Sequence, residues 1–168
     1  MLTENQEKYL LKIPEDKIVK IVPFDPLIPN IVEGIKSKIR NAGINLEVKF
    51  IGASGLGISG QGDIDLYILA PEKDFEKYIP ALENAFGPKV ANISSHKWQF
   101  IFENHEVEMY LADPSTPSMQ EQIQVFEILK NNDGLLKQYD EIKSSADGQT
   151  FREYMGRKYE FFNRILNT

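Results

Sequence analysis

Five glycines fall within the eleven residues from Gly52 to Gly62, and the chain then runs directly into Asp63-Ile64-Asp65-Leu66-Tyr67-Ile68-Leu69. No helix interior or paired strand holds so many glycines, because glycine loses more backbone freedom on ordering than any other residue. A connection is therefore expected here, and its neighbours follow from it. Before it, Leu46, Val48, Phe50 and Gly52 alternate with polar residues, and after it Ile64, Leu66 and Ile68 alternate with Asp63, Asp65 and Tyr67. Both patterns have the period of a half-buried strand. Gly55-Leu56-Gly57-Ile58-Ser59-Gly60 spells the GxGxxG string of dinucleotide sites, but that string works only where a helix leaves the glycines and faces the pyrophosphate. Here a strand leaves, so the dinucleotide reading fails on context. A Walker-type loop fails as well, since no Gly-Lys-Ser/Thr follows.

The rest of the chain alternates helix and strand signals. Thr3, with Gln6 three residues on, predicts a capped helix over 3–12. IVKIVPF (18–24) has strand composition, and prolines 23, 26 and 29 then punctuate a turn. Ile31, Val32, Ile35 and Ile39 predict a helix from Pro29 to about Ala42, stopped by Gly43. A second stripe, Phe75 to Phe86, follows Pro71 and ends at Gly87. Residues 98–103 and 106–112 read as antiparallel strands joined by a tight turn at Asn104-His105. Beyond Pro114, three amphipathic segments are broken near Asn132-Asp133-Gly134 and Asp147-Gly148. The expected fold class is α+β in one domain over 1–168. A small mixed sheet flanked by helices occupies 18–112, and a helical cap occupies 113–168.

Composition narrows the function. A chain of 168 residues buries roughly 70% of its unfolded surface and needs no covalent staple. Without cysteine, disulfides, thiolate zinc sites and cysteine nucleophiles are excluded, and His96 and His105 are too few for a histidine cage. A net charge of −6 argues against a sequence-blind nucleic-acid coat and disfavours nucleic acid as a partner, although one local basic cluster can still hold a triphosphate. The polar start and the lack of a long apolar run lead to the expectation of a cytoplasmic protein without a membrane partner.

Asp63 and Asp65, two apart on a strand, project from one face. Such carboxylates raise each other's pKa unless a cation lies between them, and a hard ion such as Mg²⁺ or Mn²⁺ suits them. Glu106 and Glu108 share one face of the later strand with Tyr110. If that strand pairs beside Asp63–Leu69, three carboxylates converge, as two-metal phosphoryl transfer requires. Glu108, in mid-strand, is the stronger candidate, and the choice between it and Glu106 stays open. A plain glycine-rich hairpin with solvated carboxylates also accounts for these residues, but it leaves Ser54 beside Asp-x-Asp as coincidence. A triphosphate needs cations, for which Lys97, Lys143, Arg157 and Lys158 are available.

Gly52-Ala53-Ser54, the loop, and Asp63-Ile64-Asp65-Leu66 together resemble the signature of the nucleotidyltransferase superfamily related to DNA polymerase beta. The resemblance implies a nucleotidyltransferase-like fold in which Gly52 and Ser54 hold nucleotide phosphates. It also implies that Asp63, Asp65 and Glu108 form the catalytic metal site. A closer likeness runs over about 18–166. IVPFDPLIPNIVEGIKSKI, IGASGLGISGQGDIDLYI, LLKQYDEIK and REYMGRKYEFFNRIL resemble successive segments of the GrpB-like family. Its Tyr-x3-Lys and Tyr-x3-Lys-x2-Phe helices correspond to Tyr139, Lys143, Tyr154, Lys158 and Phe161, which makes Lys143 and Lys158 the nucleotide-binding lysines. The chain departs from that family in four places, one of which adds a group: Asp63 supplies a carboxylate where the family often has an apolar residue. The loop is one residue shorter, leaving Ala53 or Ser54 for the serine position; Gln61 replaces a loop lysine; and Phe126 replaces an arginine. The implied function is a Mg²⁺-dependent transfer of a nucleoside monophosphate from a nucleoside triphosphate to a small-molecule or protein acceptor. The alternative is an inactive module of the same fold that binds a nucleotide or a protein.

Overall fold

The computed structural model describes residues 1–91 and 95–167. Among the described residues, seven helices and four strands follow in the order α1 (Glu4–Lys12), α2 (Ile28–Asn41), β1 (Val48–Ile51), α3 (Gly52–Leu56), β2 (Ile64–Leu69), α4 (Phe75–Phe86), β3 (His96–Phe102), β4 (His105–Ala112), α5 (Pro117–Lys130), α6 (Asp133–Ser144) and α7 (Phe151–Leu166). A 3₁₀ turn, Glu72–Asp74, leads into α4. The sheet order is β1-β2-β4-β3. β1 lies antiparallel to β2, β2 parallel to β4, and β3 antiparallel to β4.

The parallel pairing follows from burial. Ile64, Leu66 and Ile68 must share a face with Val107, Met109 and Leu111, and the register that aligns them pairs Ile64 with Val107. This face forms the main core with Trp98, Ile28, Ile35 and Ile39 of α2 and Ile79 and Leu82 of α4. The opposite face carries Asp65, Tyr67, Glu108 and Tyr110. Its far end is covered where Ile51 and Leu69 meet Met119, Ile123 and Phe126 of α5. Helices α5, α6 and α7 flank the sheet and form their own cluster around Leu129, Tyr139, Phe161 and Ile165. Among the described residues no helix is long and apolar enough to cross a membrane.

Local chemistry explains most boundaries. Thr3 and Gln6 complete the capping box of α1, and Thr150 with Glu153 does the same for α7. Asn132 caps α6 through Leu135 N–H. Three expectations are corrected. IVKIVPF forms no strand and makes only the isolated bridges Ile18–Thr150 and Val22–Gly60, because no neighbouring strand is left to extend them. The connection after β1 is not a loose hairpin: Gly52–Leu56 closes one helical turn, ended by Gly57 at φ 70°. The β3–β4 turn sits at Glu103-Asn104, both at positive φ, one residue earlier than the sequence pattern suggests. That is the geometry of a two-residue hairpin turn matched to strand twist.

Candidate functional site

β2 and the backbone just before it set the carboxylates. Asp65 stands in register with Glu108 of β4 and with Ile51 of β1. The expected adjacency of the two acidic strands is therefore real. Burial pushes the Asp65 carboxyl up to about 7, and the Asp63 and Glu108 charges add to the effect. Asp63 is raised too, first by burial, while its own backbone hydrogen bond and the ammonium groups of Lys143 and Lys158 pull it back.

Those lysines arrive from α6 and α7. Residues four apart share a helix face, so Tyr139 and Lys143 lie together on α6, and Tyr154 and Lys158 lie together on α7. Lys143 is 4% exposed, and its Nζ donates to the Tyr154 hydroxyl at 2.8 Å. The Tyr139 ring lies under the same ammonium, its centroid 5.2 Å from Lys143 Nζ. Burial, then the Lys158 charge, brings Lys143 down to about 8, against the attraction of Asp63 and Asp65. Burial also lowers Lys158, opposed by Asp65 and Asp63. Both lysines therefore lie within electrostatic reach of both aspartates, and Tyr154 is buried beside Lys143.

The glycine turn fits closely under this cluster. At φ 77°, Gly52 holds a conformation that side chains disfavour, and a Cβ there would collide with the Asp65 carboxylate. Ser54 is buried, and its hydroxyl donates to the Asp63 carbonyl at 2.6 Å, tying α3 to the start of β2. Its proton is spent on that bond, and its oxygen remains an acceptor. Phe126, at the position of the missing arginine, packs against α3: a Cβ on Gly55 would lie 3.2 Å from its ring.

Glu108 keeps different company. Lys97 Nζ reaches its Oε1 at 2.6 Å and the Tyr110 hydroxyl its Oε2 at 2.8 Å. Tyr110 stacks on Tyr67 with ring centroids 4.8 Å apart. Burial raises both phenols, aided by the Glu108 charge. Glu106 is exposed and bound to the Gln99 amide, which leaves Glu108 as the acid next to Asp65. Lys97, a candidate phosphate ligand, is therefore taken by Glu108. Arg157 is turned to the Ile142 carbonyl and the Ser145 hydroxyl. Trp98 lies fully within the core.

Asp63 and Asp65 offer the hard oxygens that Mg²⁺ or Mn²⁺ prefers, and their mutual repulsion fits a bound cation. Glu108 fits less well, because both of its oxygens are already engaged. Among the described residues, no group of three or more acidic or histidine side chains is arranged to hold a metal.

One pairing went unread in the sequence. His105 Nε2 meets Asp25 Oδ2 at 3.0 Å, and its Nδ1 meets the Glu103 carbonyl at 3.0 Å. This joins the β3–β4 turn to the proline-punctuated arm before α2. Eighty residues separate the partners, and no local pattern links them.

The family described as GrpB protein matches residues 18–168. Among solved structures, the crystal structure of conserved protein GrpB from Enterococcus faecalis superimposes with a TM-score of 0.61. It covers 88% of this chain and 97% of that chain at 14% identity, a likeness of fold. No curated protein matches the chain.

Proposed function

The chain belongs to the GrpB family, and from its site we propose that it is a metal-dependent nucleotidyltransferase. It would move a nucleoside monophosphate from a nucleoside triphosphate to a hydroxyl-bearing acceptor. One observation carries the reading: two half-buried aspartates at the start of β2 lie within electrostatic reach of the buried Lys143 of α6 and the half-buried Lys158 of α7, over a turn whose glycine leaves room for a carboxylate. The likeness of Gly52–Leu66 to the nucleotidyltransferase signature agrees with it. A purely structural role would not require four charged groups at one point of low dielectric.

Asp63 and Asp65 would hold Mg²⁺, which when bound neutralises phosphate charge. Lys143 and Lys158 would pair with the phosphates. In the transfer, the acceptor oxygen forms a bond to the α-phosphorus, the bond to the pyrophosphate oxygen breaks, and the hydroxyl proton passes to water. The engagement of Glu108 by Lys97 and Tyr110 favours a second reading, a module that binds nucleotide without turnover.

Calorimetric titration of ATP, GTP, CTP and UTP, with and without Mg²⁺, tests both readings against the Asp63→Ala/Asp65→Ala variant. Magnesium-dependent binding that disappears in the folded variant supports the site, and pyrophosphate release with an acceptor extract separates transfer from binding alone. Absence of binding to the wild type overturns both readings.

A further inference from the structure

A cavity of about 250 Å³ opens between the arm and the glycine connection. Val22, Phe24, Ile28 and Ile58 give it apolar walls, while His105 and Asp25 place its polar groups together. Its position follows from the register. Ile64 pairs with Val107, so Gly62 and His105, two residues back, stand at the open start of the β2–β4 pair. The cavity takes in both, and Asp63 is the next residue along.

Two further contacts join the cavity to the charged cluster. Ser54 lines it while its hydroxyl holds the Asp63 carbonyl. Gly60 also lines it, and a Cβ there would sit 3.8 Å from Lys143 Nζ. One residue of backbone therefore separates this space from the aspartates and lysines.

Its chemistry selects the occupant. Ligand pockets for larger molecules span roughly 300–1,000 Å³, so this one is suited to a single ring system rather than a whole nucleotide. Among its described lining residues, Asp25, the one carboxylate, is paired with His105, and none is a lysine or arginine that could meet a phosphate. Apolar faces with polar groups on one side suit a planar heteroaromatic ring, apolar on its faces and hydrogen-bonding at its edge. Because His105 meets acceptors at both nitrogens and Asp25 also accepts from Leu27 N–H, that polar side is held in place before any ligand arrives. What it offers a ring edge is the spare lone pairs of the Asp25 carboxylate and of the Ser54 hydroxyl oxygen.

We propose that this cavity is the nucleobase subsite of the candidate nucleotide site, with the phosphates running past Ser54 and Gly60 to Asp63, Asp65, Lys143 and Lys158. This rests on the nucleotide reading above. The test compares Mg²⁺-dependent binding of the four NTPs and of inorganic tripolyphosphate to wild type, Ile58→Trp and Asp65→Asn. In addition, methyl NMR of the wild type follows Val22, Ile28 and Ile58 without needing any variant to fold. The expected result is that NTPs bind at least tenfold more tightly than tripolyphosphate and shift those methyls, whereas tripolyphosphate does not. Ile58→Trp should then lose the tenfold advantage and keep tripolyphosphate binding, and Asp65→Asn should lose both. Equal affinity for NTP and tripolyphosphate, or NTP binding that leaves the three methyls unmoved, overturns the subsite while leaving the phosphate site standing. Wild type that binds neither probe overturns the subsite together with the nucleotide reading.

Discussion

Asp65 and Glu108 are register partners on adjacent parallel strands, yet their carboxylates end in opposite circumstances. Glu108 is neutralised by Lys97 at 2.6 Å, while the half-buried Asp65 lies beside a second aspartate, with compensating lysines that come from α6 and α7. Burial without a directly bonded cation is what raises the Asp65 carboxyl. It also makes the site responsive to protons, cations and small changes in packing.

Stability should dip near neutrality. The Asp65 carboxyl is raised to about 7 in the folded chain against an ordinary 3.8, so the folded state holds the extra proton between those values. Stability therefore falls as pH rises from about 4 to 7. Lys143 is lowered to about 8 against 10.5, so the unfolded state holds the extra proton there, and stability rises as pH climbs from about 8 to 10.5. Thermal melts across pH 4–10 should show both limbs in wild type, and Asp65→Asn should flatten the acid limb. An unchanged acid limb in that variant would count against the burial assigned to Asp65.

Tyr154→Phe should destabilise the chain by about 1–3 kcal/mol, because it leaves the buried Lys143 ammonium without its hydroxyl acceptor. Adding Lys143→Met should recover part of the loss, since removing both partners of a buried hydrogen bond costs less than removing one. Urea melts of the two single variants and the double variant check this.

Gly52→Ala should cost roughly 1–3 kcal/mol, from an unfavourable φ and a Cβ directed at the Asp65 carboxylate. Displacing that carboxylate should also weaken Mg²⁺-dependent NTP binding about tenfold or more, an effect that Gly57→Ala, with open space around its Cβ, should not share.

Lys97→Met releases Glu108 from its ion pair. If Glu108 can act as a third metal ligand, Mn²⁺ should bind severalfold more tightly to this variant, at a stability cost of about 1–3 kcal/mol. Mn²⁺ titration followed by water-proton relaxation reads the affinity, and equal affinity in the two proteins would confine the metal site to Asp63 and Asp65.

The elements and their faces were legible along the chain because they depend on neighbours three or four residues apart in helices and two apart in strands. Thr3 with Gln6, Thr150 with Glu153, the Ile31–Ile39 stripe and the Ile64–Ile68 alternation each specify their element through local hydrogen bonds or one-sided burial. Asp63 and Asp65 were legible as a pair for the same reason. The 18–24 segment was misread because strand composition yields a strand only where a partner strand is available.

Tertiary packing alone decided what those residues meet. Which lysine would neutralise Glu108, that Lys143 would be buried against Tyr154, and that His105 would join Asp25 across the arm depend on the β1-β2-β4-β3 order and on the packing of α6 against α7. Periodicity along the chain carries no information about such contacts. They are set by which apolar faces are buried together, and the charges then take the partners left within reach.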